Sequence, residues 1–220
     1  MIIAPTSEAE LLSRARSLVG LSLGGVANAL FIANPGAPAQ AKGWIGELME
    51  RALGADAGSR PEPDFTRIGV ELKTIPITAN GKPNESTYVC VAPAVVSPEQ
   101  TWETSVVFRK LQRVLWVPVE AEGEIVQRRI GWPFLWTPNA LESATLRADW
   151  EEIIELIATG RREALSARLG TYLQIRPKAA NSRSRTQAAN AAGVPEATLP
   201  RGFYLRATFT EMVLAAGMLD

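Results

Sequence analysis

The segment IGVELKTI at 68–75 restricts the fold of this 220-residue chain more than any other, because it alternates like a β-strand. Successive side chains of a strand point to opposite faces, so Val70 and Leu72 would share one face and Glu71 and Lys73 the other. The Cα atoms of Glu71 and Lys73 would then lie about 6.6–6.8 Å apart. Charged pairs at this spacing are most often exposed salt partners, so a functional reading of the pair needs support from other residues.

Helical and strand-like patterns alternate along the rest of the chain. The apolar spacing from about 141 to 158 predicts a helix, and VLWVPVE at 114–120 predicts a strand buried in a sheet. Asn80-Gly81 predicts a hairpin that returns the chain into the strand TYVCVAP. Further helices are predicted at 41–53, at 101–113, in a short segment that ends at about 169, and at 207–219. Further strands are predicted at 171–177 and 199–206, and a loop is predicted at 178–193. The alternation favours a mixed α/β sheet flanked by helices.

The composition excludes several classes of function. Apolar residues make up 46% of the chain and charged residues 21%, as in a globular protein, and no apolar run reaches the roughly 20 residues that span a bilayer. The first residues lack a secretion signal, and the single Cys90 lies in an apolar run typical of a buried, inert thiol, so we expect a reducing cytoplasm. Histidine is absent, which removes serine–histidine and cysteine–histidine catalysis and histidine-ligated zinc.

Several acidic and basic residues could join the strand pair in one site. Asp64 lies seven residues before Glu71, close enough for a turn to return it to the strand, and two carboxylates would suit a hard cation such as Mg²⁺. Lys73 would hold or deprotonate a water beside that cation. Glu50 falls at the border of the apolar arc of its helix, and Lys110 could add positive charge at a phosphate.

Positive charge is concentrated towards the end of the chain. Residues 161–206 contain nine lysines and arginines and only two glutamates. Such a surplus indicates a polyanionic partner, although a solvated basic surface is an equally acceptable interpretation.

Longer stretches carry a resemblance to a known family. Pro63-Asp64, Glu71 and Lys73 match the PD-(D/E)xK nuclease pattern. The segments KGWIGELMERALGADAGSRPEPDFTRIGVELKTIPI (42–77), TWETSVVFRKLQRVLWVPVE (101–120), YLQIRPKAAN (172–181) and LPRGFYLR (199–206) closely resemble the MutH family of DNA mismatch-repair endonucleases. The resemblance implies a restriction-endonuclease-like fold: a single domain over 1–220 with two lobes around a DNA-binding cleft. The catalytic motif would lie at 42–77 and the DNA-reading part at about 170–206.

The function implied by this resemblance is specific. MutH-like proteins nick the unmethylated strand of double-stranded DNA at hemimethylated GATC sites, using Mg²⁺, after activation by MutL in response to MutS bound at a mismatch. A monomer in the cytoplasm, with no membrane contact, is expected.

The resemblance also assigns roles to residues. The acidic metal ligands fall on Glu50, Asp64 and Glu71, with the Leu72 carbonyl as a further ligand. The catalytic lysine falls on Lys73, and a second lysine of the site on Lys110. The DNA-binding positions, which include a tyrosine near the adenine methyl group at Tyr204, fall on Lys42, Tyr88, Arg176, Pro177, Lys178, Arg201 and Tyr204. Two departures stand out: this chain has no histidine, and the stretch 182–198 does not align.

Two other interpretations remain open. A restriction endonuclease of the same fold would cut GATC without repair partners, but such enzymes usually dimerise or duplicate the domain, and this chain has one copy of the motif. A DNA-binding module without catalysis would keep only the basic face, and the complete set of Asp64, Glu71 and Lys73 argues against it.

Overall fold

The computed structural model describes residues 2–36, 38–178, 186–189 and 194–217, and within helices and strands it leaves out the side chains at 38–42, 186–189 and 195. The described helices are α1 (Glu8–Ser17), α2 (Leu23–Ala29), α3 (Pro38–Leu53), α4 (Val106–Leu111), α5 (Ala140–Ala158) and α6 (Ala207–Gly217). The described strands are β1 (Glu71–Ile77), β2 (Thr87–Val91), β3 (Val114–Glu120), β4 (Phe134–Trp136), β5 (Leu173–Pro177), β6 (Thr186–Ala189), β7 (Pro195–Thr198) and β8 (Arg201–Leu205). The mixed α/β class that the sequence predicts is confirmed.

The chain divides into two compact units, and each is built from separate segments. Unit 1 comprises Met1–Glu85, Gln112–Thr137 and Glu211–Asp220, and unit 2 comprises Ser86–Leu111 and Pro138–Thr210. The predicted DNA-binding cleft stays a prediction.

Unit 1 contains a mixed three-stranded sheet in the order β1-β3-β4. β1 pairs with β3 in parallel, and β4 runs antiparallel to β3. Six of the seven residues of β3 are buried, which explains why the segment reads as a continuous apolar run. Leu48, Met49 and Leu53 of α3 belong to the same buried cluster as Val70 and Leu72, so α3 is held next to β1.

Unit 2 contains an antiparallel sheet in the order β2-β8-β5. Phe203 and Leu205 of β8 and Ile175 of β5 are buried on one face, where α5 contacts β5. Because side chains alternate along a strand, the neighbouring positions Tyr204 and Arg176 lie on the opposite face. That face carries the aromatic and basic side chains described below.

The structure corrects four predicted elements. The turn at Asn80-Gly81 forms, with a hydrogen bond from Thr78 N–H to the Lys82 carbonyl (2.9 Å), but it does not make the predicted hairpin, because β1 pairs with β3 and β2 with β8. The helix predicted at 101–113 is only α4, and the one predicted up to about 169 is a single 3₁₀ turn at Arg162–Ala164. The predicted loop at 178–193 contains β6, which pairs with β7.

Two expectations from composition can be compared with the described residues. Cys90 is 7% exposed, which confirms the predicted burial of its thiol. In the part of the chain that the structure describes, none of the helices combines the length and the apolar character needed to cross a membrane.

Candidate active site and nucleic-acid interface

A tight turn returns Asp64 to the beginning of β1. The turn is anchored by the buried ring of Phe65, whose N–H donates to the Val70 carbonyl (2.9 Å). The Asp64 carbonyl accepts a hydrogen bond from Asp56 N–H (2.9 Å). Oδ2 of Asp64 accepts a hydrogen bond from the N–H of Leu72 (2.8 Å). The spacing of the motif therefore does bring this carboxylate to the strand, as predicted.

Glu71 and Lys73 form a buried ion pair on β1. Nζ of Lys73 donates to Oε1 of Glu71 across 2.6 Å, and the two residues are 9% and 2% exposed, respectively. Burying two charges costs several kcal/mol per ion in desolvation, which their attraction often does not repay. A buried pair of this kind is therefore poorly explained by stability and marks a candidate catalytic site.

The roles of Glu50, Asp64 and Glu71 as metal ligands stay predictions. Among the described residues, no three Asp, Glu, Cys or His side chains are grouped closely enough to hold a metal ion. Oε1 of Glu71 accepts a hydrogen bond from Nζ of Lys73, and Oδ2 of Asp64 accepts one from the N–H of Leu72. The donor set nevertheless fits Mg²⁺, which proteins usually bind through one or two carboxylates, with water and substrate phosphate as the other ligands.

The other predicted residues of this site lie on helices. Glu50 is half-buried on α3. Lys42 also belongs to α3, but its side chain lies outside the description. Lys110 is half-buried in the last turn of α4, which belongs to unit 2. The roles of Glu50, Lys42 and Lys110 stay predictions.

Four of the predicted DNA-binding side chains gather on the outer face of the unit 2 sheet, which we call the reading face. Tyr88 is paired with Tyr204 in the register, and their rings meet edge to face with centroids 5.3 Å apart. The guanidinium carbon of Arg176 lies 5.7 Å from the Tyr204 ring centroid, and Nζ of Lys178 lies 3.8 Å from that of Tyr88. Pro177 ends β5. The reading face thus combines two aromatic rings with two cations, the composition that suits bases and phosphates.

Arg201 is not brought to the reading face. It lies on the same side of β8 as the buried Phe203, and its Nη1 donates to the Leu165 carbonyl (3.2 Å). Burial lowers the pKa of Arg201, and the positive charge of Arg162 lowers it further. Arg201 therefore lies behind the sheet, beside a second arginine, and the structure separates it from Tyr204.

Two residues that hold the reading face in place were not predicted from the sequence. The carboxylate of Asp149, 5% exposed, accepts hydrogen bonds from the N–H groups of Thr171, Tyr172 and Leu173 at 2.6–2.8 Å, which determines where β5 begins. Its position in α5, between Ala148 and Trp150, gives no sign of this role. Gln174, two residues before Arg176 on the same face of β5, could have been found from the period of the strand.

The fold and the site together define a class of protein. A mixed α/β unit that carries an aspartate, a buried glutamate and a buried lysine around one strand is that of a restriction-endonuclease-like nuclease. A basic and aromatic face on the second unit is consistent with DNA as the substrate.

Comparison with known proteins identifies the family. A family profile described as "DNA mismatch repair enzyme MutH" matches residues 53–149. The chain is 54% identical to the DNA mismatch repair protein MutH of Pectobacterium atrosepticum (97% of this chain, 93% of the relative) and 54% identical to that of Yersinia enterocolitica (98% and 95%). It is 52% identical to that of Salmonella paratyphi C (100% and 96%). The chain belongs to the MutH family of DNA mismatch-repair endonucleases.

Proposed function

We propose that this chain is an Mg²⁺-dependent endonuclease that nicks the unmethylated strand of double-stranded DNA at hemimethylated GATC sites. MutL would activate it in response to MutS bound at a mismatch, and it would act as a monomer in the cytoplasm. The observation that carries the proposal is the approach of Asp64 to β1 beside the buried pair of Glu71 and Lys73.

The residues of unit 1 suit phosphodiester hydrolysis. Asp64, Glu71 and the Leu72 carbonyl would hold Mg²⁺, which neutralises charge on the phosphate and on the departing 3′ oxygen when it is bound. Lys73 orients the attacking water through its Nζ, which Glu71 holds at 2.6 Å. Cleavage of the bond to the 3′ oxygen leaves a 5′-phosphate and a 3′-hydroxyl.

The residues of unit 2 suit recognition of the site. Arg176 is exposed, and an arginine that donates to O6 and N7 of guanine is the commonest specific contact in the major groove. Lys178 would contact phosphate. Tyr204 would pack against the adenine amino group, where a methyl group adds bulk and removes a hydrogen-bond donor, and this could discriminate by about 1–3 kcal/mol.

A nicking assay tests the proposal directly. Hemimethylated, unmethylated and fully methylated GATC duplexes are incubated with the protein and Mg²⁺, with and without MutL. We expect nicking of unmethylated strands only, with strong stimulation by MutL. Equal double-strand cleavage without MutL would instead identify a restriction endonuclease, an alternative that the relatives do not favour.

Substitutions test the roles of the residues. Glu71→Ala and Lys73→Ala should abolish nicking and leave metal-free DNA binding largely intact. Glu47→Ala is the matched control, because Glu47 is an exposed glutamate on α3 whose Oε1 lies 2.6 Å from Nη2 of Arg51 along the helix surface. This variant should cleave like the parent. Undiminished cleavage by either of the first two variants would exclude this mechanism.

The tyrosine has its own test. Tyr204→Ala should narrow the ratio of cleavage rates between unmethylated and methylated strands. An unchanged ratio would remove Tyr204 from methyl discrimination.

A further inference from the structure

A hydrogen-bonded set of three side chains lies on the reading face. Oγ of Ser86 accepts hydrogen bonds from Nε2 of Gln174 (2.9 Å) and from Nη1 of Arg176 (3.0 Å). A serine hydroxyl has two acceptor lone pairs, so the two donors together use its acceptor capacity. All three residues belong to unit 2, and Gln174 is 6% exposed.

The surroundings restrict how Arg176 can move. Its guanidinium lies over the Tyr204 ring, and Tyr204 is in turn held against Tyr88. The two rings pack over Gly202, where a Cβ atom would come within 3.0 Å of Cε2 of Tyr88 and 3.2 Å of Cε2 of Tyr204. Arg176 is therefore contacted on one side by an aromatic ring and on another by the Ser86 hydroxyl.

We propose that Ser86 and Gln174 are positioning residues that hold the guanidinium of Arg176 in the orientation that reads guanine. This inference rests on the proposed function, in which Arg176 contacts a base. A free arginine side chain loses considerable rotamer entropy when it forms a planar, two-bond contact, and holding it in advance reduces that cost. Gln174, fixed by its burial, holds Ser86 in place, and Ser86 holds Arg176.

The guanine contact can be measured without cleavage. GATC duplexes that contain guanine or 7-deazaguanine differ only at N7, one of the two acceptors that an arginine contacts. Fluorescence anisotropy without metal gives the ratio of the two affinities. We expect Ser86→Ala and Gln174→Leu each to reduce the parent's preference for guanine by about three- to tenfold, the effect of losing a hydrogen bond. Arg176→Met, which has no donor for N7, should abolish the preference.

A neighbouring residue supplies the matched control. Thr87 lies next to Ser86 but on the opposite face, and its Oγ1 shares a buried hydrogen bond with Oγ1 of Thr210 (3.0 Å). Thr87→Val therefore removes a side-chain hydrogen bond at the same place in the chain without touching Arg176. It should keep the parent's guanine preference, even where thermal stability falls as much as in Ser86→Ala.

A double variant separates positioning from general damage. In an Arg176→Met background, Ser86→Ala should cause no further change in the ratio of affinities for the guanine and 7-deazaguanine duplexes. If the parent shows no preference for guanine, the proposed role of Arg176 fails. If the parent shows it and both Ser86→Ala and Gln174→Leu retain it, or if Thr87→Val loses it equally, only the positioning role is overturned.

Discussion

At the scale of single residues, the ion pair on β1 is more costly than useful for folding. Glu71 and Lys73 are nearly enclosed, and removing one partner takes away the 2.6 Å ion pair while the other charge stays buried. Replacing both with apolar side chains of similar size removes the desolvation cost altogether. Stability and the proposed catalytic role therefore place opposite demands on these two positions.

This conflict predicts the behaviour of three variants. Glu71→Met should lower the free energy of unfolding by about 3–5 kcal/mol, because the Lys73 ammonium stays buried. Glu71→Met combined with Lys73→Met should be at least as stable as the parent, while both variants lack nicking activity. Urea denaturation and the nicking assay measure the two effects. A double variant as unstable as Glu71→Met would contradict the explanation.

Phe31 carries local strain that does not depend on the active site. It follows α2 with a φ of 55°, and the residue is 96% exposed. A side chain in this left-handed region costs roughly 1–2 kcal/mol, whereas glycine adopts it freely but loses more entropy on folding. Phe31→Gly should therefore raise the free energy of unfolding by about 0.5–1 kcal/mol in urea denaturation. Phe31→Ala keeps the Cβ atom and should show no gain in the free energy of unfolding. A gain equal to that of Phe31→Gly would mean that the exposed ring, and not the left-handed backbone, is responsible.

The residue types of the site were predictable from the sequence, but its contacts were only partly so. The period of two places Glu71 and Lys73 on one strand face, and the short interval allows Asp64 to return to it. The bond between Ser86 and Arg176 joins positions far apart in the chain, and no local pattern indicates it. Arg201 is different, because the alternation of side chains along β8 is a local pattern and already places it on the side opposite Tyr204.

At the scale of elements, local periodicity correctly predicts helices and strands, but it does not predict which strands pair with each other. The helix α5 and the strands β3, β5 and β8 appear where their patterns predict them. The Asn80-Gly81 turn also forms, with a φ of 74° at Gly81, but a turn alone does not decide which strand pairs with β1. The apolar β3 provides the buried partner, and this choice depends on the core rather than on neighbouring residues.

The loop that carries Asp64 depends on a second aspartate. The carboxylate of Asp56 accepts hydrogen bonds from the N–H and the hydroxyl of Thr66, both at 2.8 Å. Burial raises the pKa of Asp56, but the hydrogen bonds from Thr66, the positive charge of Arg60 and a backbone hydrogen bond of its own together outweigh burial, so the pKa lies below its usual value. A depressed pKa means that Asp56 contributes stability above the unfolded-state pKa of about 3.9, and this contribution disappears as pH falls through the folded-state pKa.

This linkage predicts a pH-dependent difference between variants. Asp56→Asn should be less stable than the parent at neutral pH, and the difference should shrink below about pH 4. The measurement is the urea midpoint as a function of pH. Thr66→Val keeps the N–H donor and loses only the hydroxyl, so its stability should fall less than that of Asp56→Asn over the same pH range. A difference that persists undiminished in acid would mean that the ionised carboxylate is not responsible.

At the scale of the whole molecule, the division of the chain into two units was harder to predict from the sequence than the family to which the chain belongs. Segments of the two units alternate along the sequence, with a change between Glu85 and Ser86 that no composition shift marks. Each unit is assembled from distant segments, which only long-range packing determines. The distribution of charge, by contrast, is visible in the sequence, and its surplus between 161 and 206 includes the cations of the reading face.

This charge distribution predicts how DNA binding responds to salt. Each phosphate that a cation neutralises releases counterions, so the slope of log K against log salt concentration changes by about 0.9 per contact. Lys178→Met should therefore flatten the slope by about 0.9 and weaken binding to cognate and unrelated duplexes alike. Lys82→Met is the control, since Lys82 is an exposed lysine of unit 1 whose Nζ lies 3.0 Å from Oε1 of Glu211. If the Lys178 variant keeps the parent slope, its ammonium serves the Tyr88 ring and not the DNA backbone.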